Sequence, residues 1–347
     1  MDHKKRFASF VKSIKPLDQI AIIHDSDADG ICSTVIVAKA LEKLGHKVER
    51  FIQSSYGNFN YDRLKALRDE GTNKLILVDF AADQFPELKR ELDLFEATLI
   101  IDHHKIYKNI NSKKIIFIKA EYLRPKLIGS DYCATKMAFD LFSNVVDISE
   151  LDWMAAIGMI TDITDAKWKK FLNQVYKKHR TSREELLQAG IIIDTGKQVN
   201  PPQVERALEM VFEARTYKDI LKSSFSKLAK ELRNEIEFWV NKFEENAENK
   251  KDLWLYEIDP SASIISVVST LLALKYPKYS IVVVRRYKGK VAISARNHLG
   301  KRAMNTLLEK AVKSMKGANA GGHIPAAGGT IREKDYAEFQ KRLWKMA

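Results

Sequence analysis

Cysteine is nearly absent from this sequence of 347 residues, which contains only Cys32 and Cys133. Neither belongs to a pair with the spacing of a zinc site, and the sequence therefore predicts no disulfide framework and a reducing compartment. No apolar run approaches the roughly 18 residues of a membrane span. The N-terminus also lacks the long apolar core of a signal peptide. We therefore expect a cytoplasmic protein that binds no membrane.

Acidic residues are in deficit, because 45 Asp and Glu accompany 58 Lys and Arg and give a formal net charge of +13. An excess of basic charge favours a polyanionic partner such as nucleic acid. Apolar residues make up 45 % of the sequence, which is ample for buried cores. The length suggests two domains.

The most informative stretch is Asp25-Ser26-Asp27-Ala28-Asp29-Gly30, which lies between an apolar run and a segment with helical spacing. Three carboxylates this close repel one another unless a cation holds them, which indicates a site for a hard divalent metal. The same pattern opens an EF-hand calcium loop, but that loop needs a preceding helix and a Glu at position twelve, where this sequence has Ile36. A solvated acidic turn without a ligand is the other interpretation.

Apolar runs alternate with segments of helical spacing across the first half of the sequence. This alternation predicts an α/β fold with a parallel doubly wound sheet. Asp25, Asp79 and Asp102 each lie at or just beyond the end of a predicted strand, and such ends meet at one edge of a parallel sheet. The predicted strands are 19–24, 47–52, 74–79, 97–102 and 115–118, and the predicted helices are 31–44, 61–70, 86–95, 130–142 and 148–160.

The segment 167–183 is strongly basic and carries the interleaved aromatic residues Trp168, Phe171 and Tyr176. It is either a surface that follows a nucleic-acid backbone and stacks on bases, or an ordinary solvated helix face. From residue 221 onward, apolar positions recur every three or four residues, which predicts an amphipathic helix that connects two domains. A dimer-forming helix is the alternative and leaves a homo-oligomer open.

The last hundred residues predict a smaller α/β domain, joined to the first by the long helix. It ends in the glycine-rich stretch Gly321-Gly322-His323-Ile324-Pro325-Ala326-Ala327-Gly328-Gly329. Glycines let a backbone approach a ligand closely, and a histidine among them can donate to a phosphate. We therefore divide the chain into a metal-binding domain (1–195), a helical connector (196–250) and a substrate-binding domain (251–347).

The triplet Asp102-His103-His104 completes the pattern, because two histidines after a strand-end acid offer one imidazole to a metal and one to a substrate oxygen. With it the sequence resembles the DHH phosphoesterase family, and in particular its RecJ-like archaeal-type nucleases and small oligonucleotide phosphodiesterases. The motifs that carry the resemblance are 25–30, Val78-Asp79, 102–104, Ile160-Thr161-Asp162 and, for the DHH-associated C-terminal domain, 321–328. One departure is Ala320, where the family usually has a third glycine before the histidine.

The resemblance implies a role for each matching residue. The expected ligands of two Mn²⁺ ions, which Mg²⁺ can replace, are Asp25, Asp27, Asp79, His103 and Asp162. Asp165 is a second candidate in the fourth motif. His104 would contact the scissile phosphate, and Asp29 would support the ligands or join them in some states. The residues expected to bind the substrate's phosphate or terminal nucleotide are Arg296, Gly321, Gly322 and His323.

These residues predict a metal-dependent phosphodiesterase that activates water. The leading hypothesis is a single-strand-specific exonuclease that releases nucleotides from DNA or RNA ends in replication, repair or RNA turnover. It would have single-stranded nucleic acid and a helicase or replisome component as partners. The alternative is a phosphoesterase of short oligonucleotides (nanoRNA), cyclic dinucleotides or phosphoadenosine phosphate. A lesser alternative is a Cdc45-like scaffold of the replication fork.

Overall fold

The chain divides into two compact units in a computed structural model that describes residues 2–54, 60–85 and 87–347. The first unit is Met1–Lys197 with Pro202–Ala229, and the second is Gln198–Pro201 with Lys230–Ala347. The first unit thus extends beyond the predicted boundary at 195. Much of the predicted connector packs into its core, including Val204, Ala207 and Tyr217.

The first unit alternates strands and helices, as its apolar runs predict. Its strands are β1 (Ile20–His24), β2 (Val48–Gln53), β3 (Lys74–Val78), β4 (Ala97–Asp102) and β5 (Ile115–Lys119). Its helices are α1 (His3–Lys12), α2 (Ala28–Lys43), α3 (Tyr61–Asp69), α4 (Leu88–Leu92), α5 (Ala120–Leu123), α6 (Ala134–Phe142), α7 (Asp152–Thr161), α8 (Lys169–His179), α9 (Arg183–Gln198), α10 (Val204–Glu213) and α11 (Tyr217–Leu221).

The sheet of the first unit is parallel and has the strand order β2-β1-β3-β4-β5 in the described residues. The chain moves from β1 to β2 on one side and then returns to place β3 on the other side of β1. Ligands of doubly wound sheets bind at such a switch point, beyond the carboxyl ends of the two strands. The predicted α/β class and parallel doubly wound sheet are confirmed.

Both faces of this sheet are buried, which explains why β1, β3 and β5 are apolar along most of their length. Ile20 and Ile22 pack with α2, α6 and α7 in one cluster, whereas Ala21 and Ile23 pack with α3 and α4 in another. The alternation follows from the two-residue period of a strand. Each fully buried Ile or Leu side chain contributes about 1.5–3 kcal/mol to the stability of the fold. The strand ends that carry the acidic residues are therefore held in place by a well-packed sheet.

The second unit is built around a mixed sheet with the order β10-β11-β9-β8-β7-β6 in the described residues. Its strands are β6 (Glu248–Lys250), β7 (Leu253–Glu257), β8 (Ser280–Tyr287), β9 (Lys290–Arg296), β10 (Asn319–Gly322) and β11 (Ala326–Arg332). Its helices are α13 (Phe243–Asn246), α14 (Ile265–Lys275), α15 (Met304–Val312) and α16 (Tyr336–Lys345), and α12 (Ser224–Asn241) begins in the first unit and continues into the second.

Several boundaries differ from their predicted positions for local reasons. Helix α2 begins at Ala28 rather than at residue 31, because Asp27 is its N-cap and Asp29 lies in its first turn. Helix α6 begins at Ala134, after a short 3-10 turn at Gly129–Asp131. The predicted helix 86–95 is α4, and its predicted first residue, Pro86, lies outside the described residues. In the described part of the chain, every helix is too short or too polar to cross a bilayer.

Candidate metal centre

The acidic loop 25–29 connects the end of β1 to the start of α2. Asp25 Oδ1 accepts from the Ser26 N–H (2.7 Å), and Asp27 Oδ1 accepts from the Gly30 N–H (3.1 Å) as the N-cap of α2. A Cβ on residue 30 would lie 2.5 Å from the Asp25 carbonyl oxygen, so glycine is required there. A strand precedes this loop, which contradicts the EF-hand interpretation.

Asp29 is buried and holds the start of a second helix. Its Oδ2 accepts from the Ala134 N–H and its Oδ1 from the Thr135 N–H, both at 2.9 Å. The N-cap residue of α6, Cys133, makes no side-chain hydrogen bond of its own to the helix. The carboxylate of Asp29 therefore satisfies the N-terminal N–H groups of α6 and interacts favourably with the positive end of its dipole.

Asp79 follows β3 and lies beside the acidic loop at the switch point. It is 2 % exposed, and its φ of 54° places it in the left-handed region, which Asp tolerates better than most residues. Its Oδ1 has no hydrogen-bond partner among the described residues, and Nε2 of His103 lies 3.3 Å away. Burial and the charge of Asp29 raise the pKa of Asp79 well above its ordinary value. A buried carboxylate oxygen that accepts no hydrogen bond is the kind of atom that binds a metal ion.

His103 is oriented by the backbone of residue 129. Its Nδ1 is 3.0 Å from the Gly129 carbonyl oxygen, so a proton on Nδ1 leaves Nε2 as the ligand atom toward Asp79. A Cβ on residue 129 would lie 1.7 Å from the carbonyl oxygen of His103, which excludes any side chain there. Asp162 Oδ2 lies 3.6 Å from His103 Nδ1.

His104 is held by a buried chain of charges. Its Nδ1 lies 2.7 Å from Asp102 Oδ1, while Asp102 Oδ2 accepts from Lys119, whose Nζ also lies 3.2 Å from Asp83 Oδ1. Asp83 in turn accepts from the Tyr107 N–H at 2.6 Å. Burial opposes ionisation of Asp102, but His104 and Lys119 outweigh it and lower its pKa far below the ordinary value. Asp102 thus positions His104 and lies outside the groups that can hold a metal in the described residues.

Asp162 closes the site from the end of α7, where it is the C-cap. Burial, together with the charge of Asp29, raises the pKa of Asp162 to about 7. The other candidate of the fourth motif, Asp165, accepts instead from the Arg183 Nε–H at 2.8 Å. Within the described chain, Asp165 is not in a group that can hold a metal, so the geometry favours Asp162.

These side chains form three groups, counted over the described residues, each with ligand atoms within 4.8 Å of one another. Together the groups contain all seven side chains that the resemblance assigned to the metals and the reaction. They are Asp79 with His103 and His104, Asp29 with His103 and Asp162, and Asp25 with Asp27 and Asp79. Mixed carboxylate and imidazole donors suit divalent metals such as Mn²⁺. The residues present therefore fit a divalent metal centre.

A cation and an acid on α9, which no sequence motif predicted, also lie at the site. Lys197 Nζ lies 3.4 Å from Asp27 Oδ2 and 3.5 Å from Asp194 Oδ1, and Asp194 accepts from the Ala28 N–H at 2.9 Å. Burial would raise the pKa of Asp27, but Lys197 and the Gly30 N–H outweigh it and lower that pKa. Burial and Asp27 raise the pKa of Asp194 to about 6 despite Lys197. The spacing of Asp194 and Lys197 on one helical face was the signal available.

A cavity of about 570 Å³ opens beside the histidines, and its size falls in the range of small-ligand sites. Two residues of the triplet, His103 and His104, line it together with Asp162 and residues 128–130, whereas the buried Asp102 does not. The cavity is lined by His103, His104, Lys105, Ile106, Glu121, Ile128, Gly129, Ser130 and Asp162.

The four predicted substrate-binding residues lie close together within the second unit. Gly321 and Gly322 are in β10, and His323 is exposed in the turn that leads to β11. Gly322 has a φ of 134°, and a Cβ there would lie 2.5 Å from the Ala326 carbonyl oxygen. Ala326 pairs with Arg296, whose guanidinium donates to Thr270 (3.1 Å) and Ser266 (2.9 Å). The glycine-rich stretch therefore forms a β-hairpin.

Two family models match the chain. The model of the DHH family, N-terminal domain, matches residues 19–166, and the model of the DHHA1 domain matches residues 251–347. The chain belongs to the DHH family. Its resemblance to that family, predicted from the motifs, is confirmed. The roles of the individual site residues stay predictions.

This DHH protein is similar to RecJ proteins. The single-stranded-DNA-specific exonuclease RecJ of Bacillus subtilis (strain 168) is 25 % identical over 389 residues, which cover 100 % of this chain and 48 % of that protein. A crystal structure of exonuclease RecJ bound to manganese has a TM-score of 0.78 at 18 % identity and covers 100 % of this chain and 94 % of that one. RecJ from Thermus thermophilus in complex with Mn²⁺ has a TM-score of 0.76 at 18 % identity and covers 99 % of this chain and 54 % of that one. The DHH protein spans about half the length of the Bacillus and Thermus relatives.

Proposed function

We propose that this DHH protein is a metal-dependent phosphodiesterase that removes nucleotides from the end of a single nucleic-acid strand. The observation that carries the proposal is the convergence of seven side chains from four sequence motifs into three groups of possible metal ligands, counted over the described residues, with the buried carboxylate of Asp79 in two of them. The similarity to RecJ supports the reaction and the substrate.

In this proposal Asp25, Asp27, Asp79, His103 and Asp162 hold two divalent cations, Mn²⁺ by preference and Mg²⁺ as a substitute. When bound, such a pair supplies Lewis-acid chemistry that makes water nucleophilic and stabilises charge on a phosphoryl group. Gly129 and Asp29 keep the ligand atoms in place, since one orients His103 and the other joins α2 to α6. Preorganised ligands of this kind reduce the reorganisation needed during the reaction.

His104 is the residue that we assign to the scissile phosphate. Its side chain is about one-third exposed and borders the cavity, whereas Asp102 behind it is fully buried. Because Asp102 engages Nδ1, Nε2 is the nitrogen that would face a non-bridging phosphate oxygen, to which the imidazolium form would donate. In the second unit, Arg296 and His323 would bind a phosphate or the terminal nucleotide, and Gly321 and Gly322 would let the backbone approach it.

The test is hydrolysis of matched DNA and RNA single strands, labelled at either end, by purified protein with Mn²⁺. We expect mononucleotide release that EDTA stops. Asp79→Asn should lower kcat/KM by about 1,000-fold, which corresponds to about 4 kcal/mol of lost transition-state stabilisation. Asparagine also tolerates the left-handed backbone of residue 79, so the variant should fold.

The matched control is Asp165→Asn, which removes a carboxylate from the same region but outside the metal centre. We expect it to retain activity within about twofold of wild type, because the carboxylate it removes contacts Arg183 rather than a proposed metal ligand. Failure of wild-type protein to hydrolyse any strand with Mn²⁺ or Mg²⁺ would overturn the proposal. Activity confined to dinucleotides would support the short-oligonucleotide alternative instead. The predicted helicase or replisome partner stays a prediction.

A further inference from the structure

A second cavity of the first unit contains none of the proposed metal ligands. It measures about 490 Å³ and is lined by Arg124, Pro125, Lys126, Leu127, Lys167 and Trp168. Three of these six described lining residues carry a positive charge, and none of the six is acidic. A concave basic surface with an aromatic residue is typical of sites for single-stranded nucleic acid.

The second cavity adjoins the metal centre through one continuous loop. Residues 124–127 line the second cavity, and the residues that follow directly, Ile128, Gly129 and Ser130, line the cavity at the histidines. The Trp168 Nε1–H donates to the Asp131 carbonyl oxygen at 2.6 Å, while the Gly129 carbonyl oxygen contacts His103. A strand that leaves the metal centre over this loop therefore meets the second cavity next.

Trp168 provides an aromatic surface whose position is fixed by its neighbours. The buried Lys136 places its Nζ 4.4 Å from the ring centroid, and the Arg124 guanidinium carbon lies 5.1 Å from it. All three aromatic residues of the basic segment, Trp168, Phe171 and Tyr176, pack against the core of the first unit. Of the three, Trp168 is the one that also lines this cavity, and an indole or a guanidinium plane can stack on a base.

The lysines of this cavity are available for phosphates. Lys126 and Lys167 are both exposed, and neither has a carboxylate within 4.0 Å in the described residues. Arg124, by contrast, lies 3.9 Å from Asp140 Oδ2. Exposed lysines without acidic partners gain binding energy from a polyanion through release of its counterions.

We propose that the cavity at Arg124–Leu127 and Lys167–Trp168 is a subsite for a nucleotide of the strand beyond the scissile phosphate. Trp168 and Arg124 would stack on its base, and Lys126 and Lys167 would bind the flanking phosphates. The inference rests on the proposed function. It explains why the protein would hydrolyse longer strands in preference to dinucleotides, which are too short to reach this subsite. The subsite would bind nucleotides without sequence specificity, because every base has an aromatic face that can stack.

The test compares hydrolysis of oligothymidylates of two and ten nucleotides by wild type and by Lys126→Ala/Lys167→Ala. We expect the ratio of kcat/KM for the decamer to that for the dimer to fall about tenfold. The slope of log affinity against log salt for the decamer should also become shallower by about 1.4, since each lost phosphate contact on a single strand removes about 0.7. Trp168→Phe should preserve the ratio, and Trp168→Leu should lower it.

The control is Lys113→Ala/Lys177→Ala, which removes the same charge from exposed positions that line neither cavity. An unchanged ratio and salt slope in the Lys126/Lys167 variant would overturn the subsite. Equal effects of both double variants would also overturn the subsite, because the loss of binding would then reflect general charge attraction rather than contacts in this cavity. Inactivity of wild-type protein on both lengths would instead refute the proposed function, so the two failures are distinguishable.

Discussion

At the scale of single residues, the metal centre collects carboxylates that oppose one another. Burial raises the pKa of Asp25, with the charge of Asp27 adding to it, and burial with the charge of Asp29 does the same to Asp79 and Asp162. Lys197 lies beside Asp27 and Asp194, and its charge also favours ionisation of Asp25 but does not outweigh the burial that raises the pKa of Asp25. Without a metal, ionisation of this cluster therefore costs folding free energy.

This cost predicts how the stability of the metal-free protein depends on pH. The pKa of Asp162 is about 7 when folded and near 3.8 when unfolded, so the folded state binds the extra proton and stability falls as pH rises through this interval. Between pH 5 and pH 8 we expect the free energy of unfolding of wild type to decrease. The decrease should be about 2–3 kcal/mol smaller in Asp162→Asn, which lacks this titrating group.

Urea unfolding of EDTA-treated protein at the two pH values measures this difference. Asp147→Asn is the control, because hydrogen bonds from Ser149 lower the pKa of Asp147 and its titration ends below pH 5. The prediction fails if wild type and Asp162→Asn lose the same free energy between pH 5 and pH 8.

At the scale of elements, Asp29 ties two helices that are far apart in sequence. It lies in the first turn of α2 and accepts hydrogen bonds from the first two residues of α6, and a Cβ on Gly158 of α7 would come within 2.8 Å of its Oδ1. Three helices thus meet at one carboxylate. The arrangement gives Asp29 a structural role whether or not it ever contacts a metal.

We therefore expect Asp29→Ala to destabilise the metal-free protein by about 1–3 kcal/mol, because two buried N–H groups of α6 lose their acceptor. Asp29→Asn, which keeps one acceptor oxygen, should fall between alanine and wild type. Thermal or urea unfolding in EDTA measures both. Metal-free Asp29→Ala protein as stable as wild type would contradict the capping role.

At the scale of the whole molecule, the chain has separate hydrophobic cores in its two units. The first unit buries clusters on both faces of its parallel sheet, and the second buries its own, with Val282, Ile293 and Phe339 among the members. A domain with its own core is able to unfold as a separate cooperative unit. A ligand of one unit then stabilises that unit first.

This organisation predicts where Mn²⁺ should slow hydrogen exchange. At a free concentration of 100 times its Kd, the metal should stabilise the first unit by about 2.7 kcal/mol. Hydrogen exchange that requires unfolding of this unit should then slow about 100-fold. Peptides from β1, β3 and α2 should show this protection, and peptides from β8 and β9 should not. Mass spectrometry with and without Mn²⁺ measures it, and uniform protection of both units would count against separate unfolding.

The sequence was sufficient for features that depend on local patterns. The apolar strands at Ile20–His24 and Lys74–Val78 and the acids after them follow from periodicity and from the rule that parallel strand ends meet. Features that depend on distant pairing were missed. Asp194 belongs to no recognisable motif, since its partner, the Ala28 N–H, lies 166 residues away in sequence. Lys119 behind Asp102 and Gly129 behind His103 were missed for the same reason.

The left-handed backbone at Asp79 bears on protein engineering. Its φ of 54°, and the φ of 56° at the exposed Ile163 beside Asp162, are conformations that glycine adopts at lower cost. A library selected for heat resistance alone would therefore enrich glycine or asparagine at these two positions and, at residue 79, discard a carboxylate. Screens for robust variants of this chain need a catalytic readout from the first round.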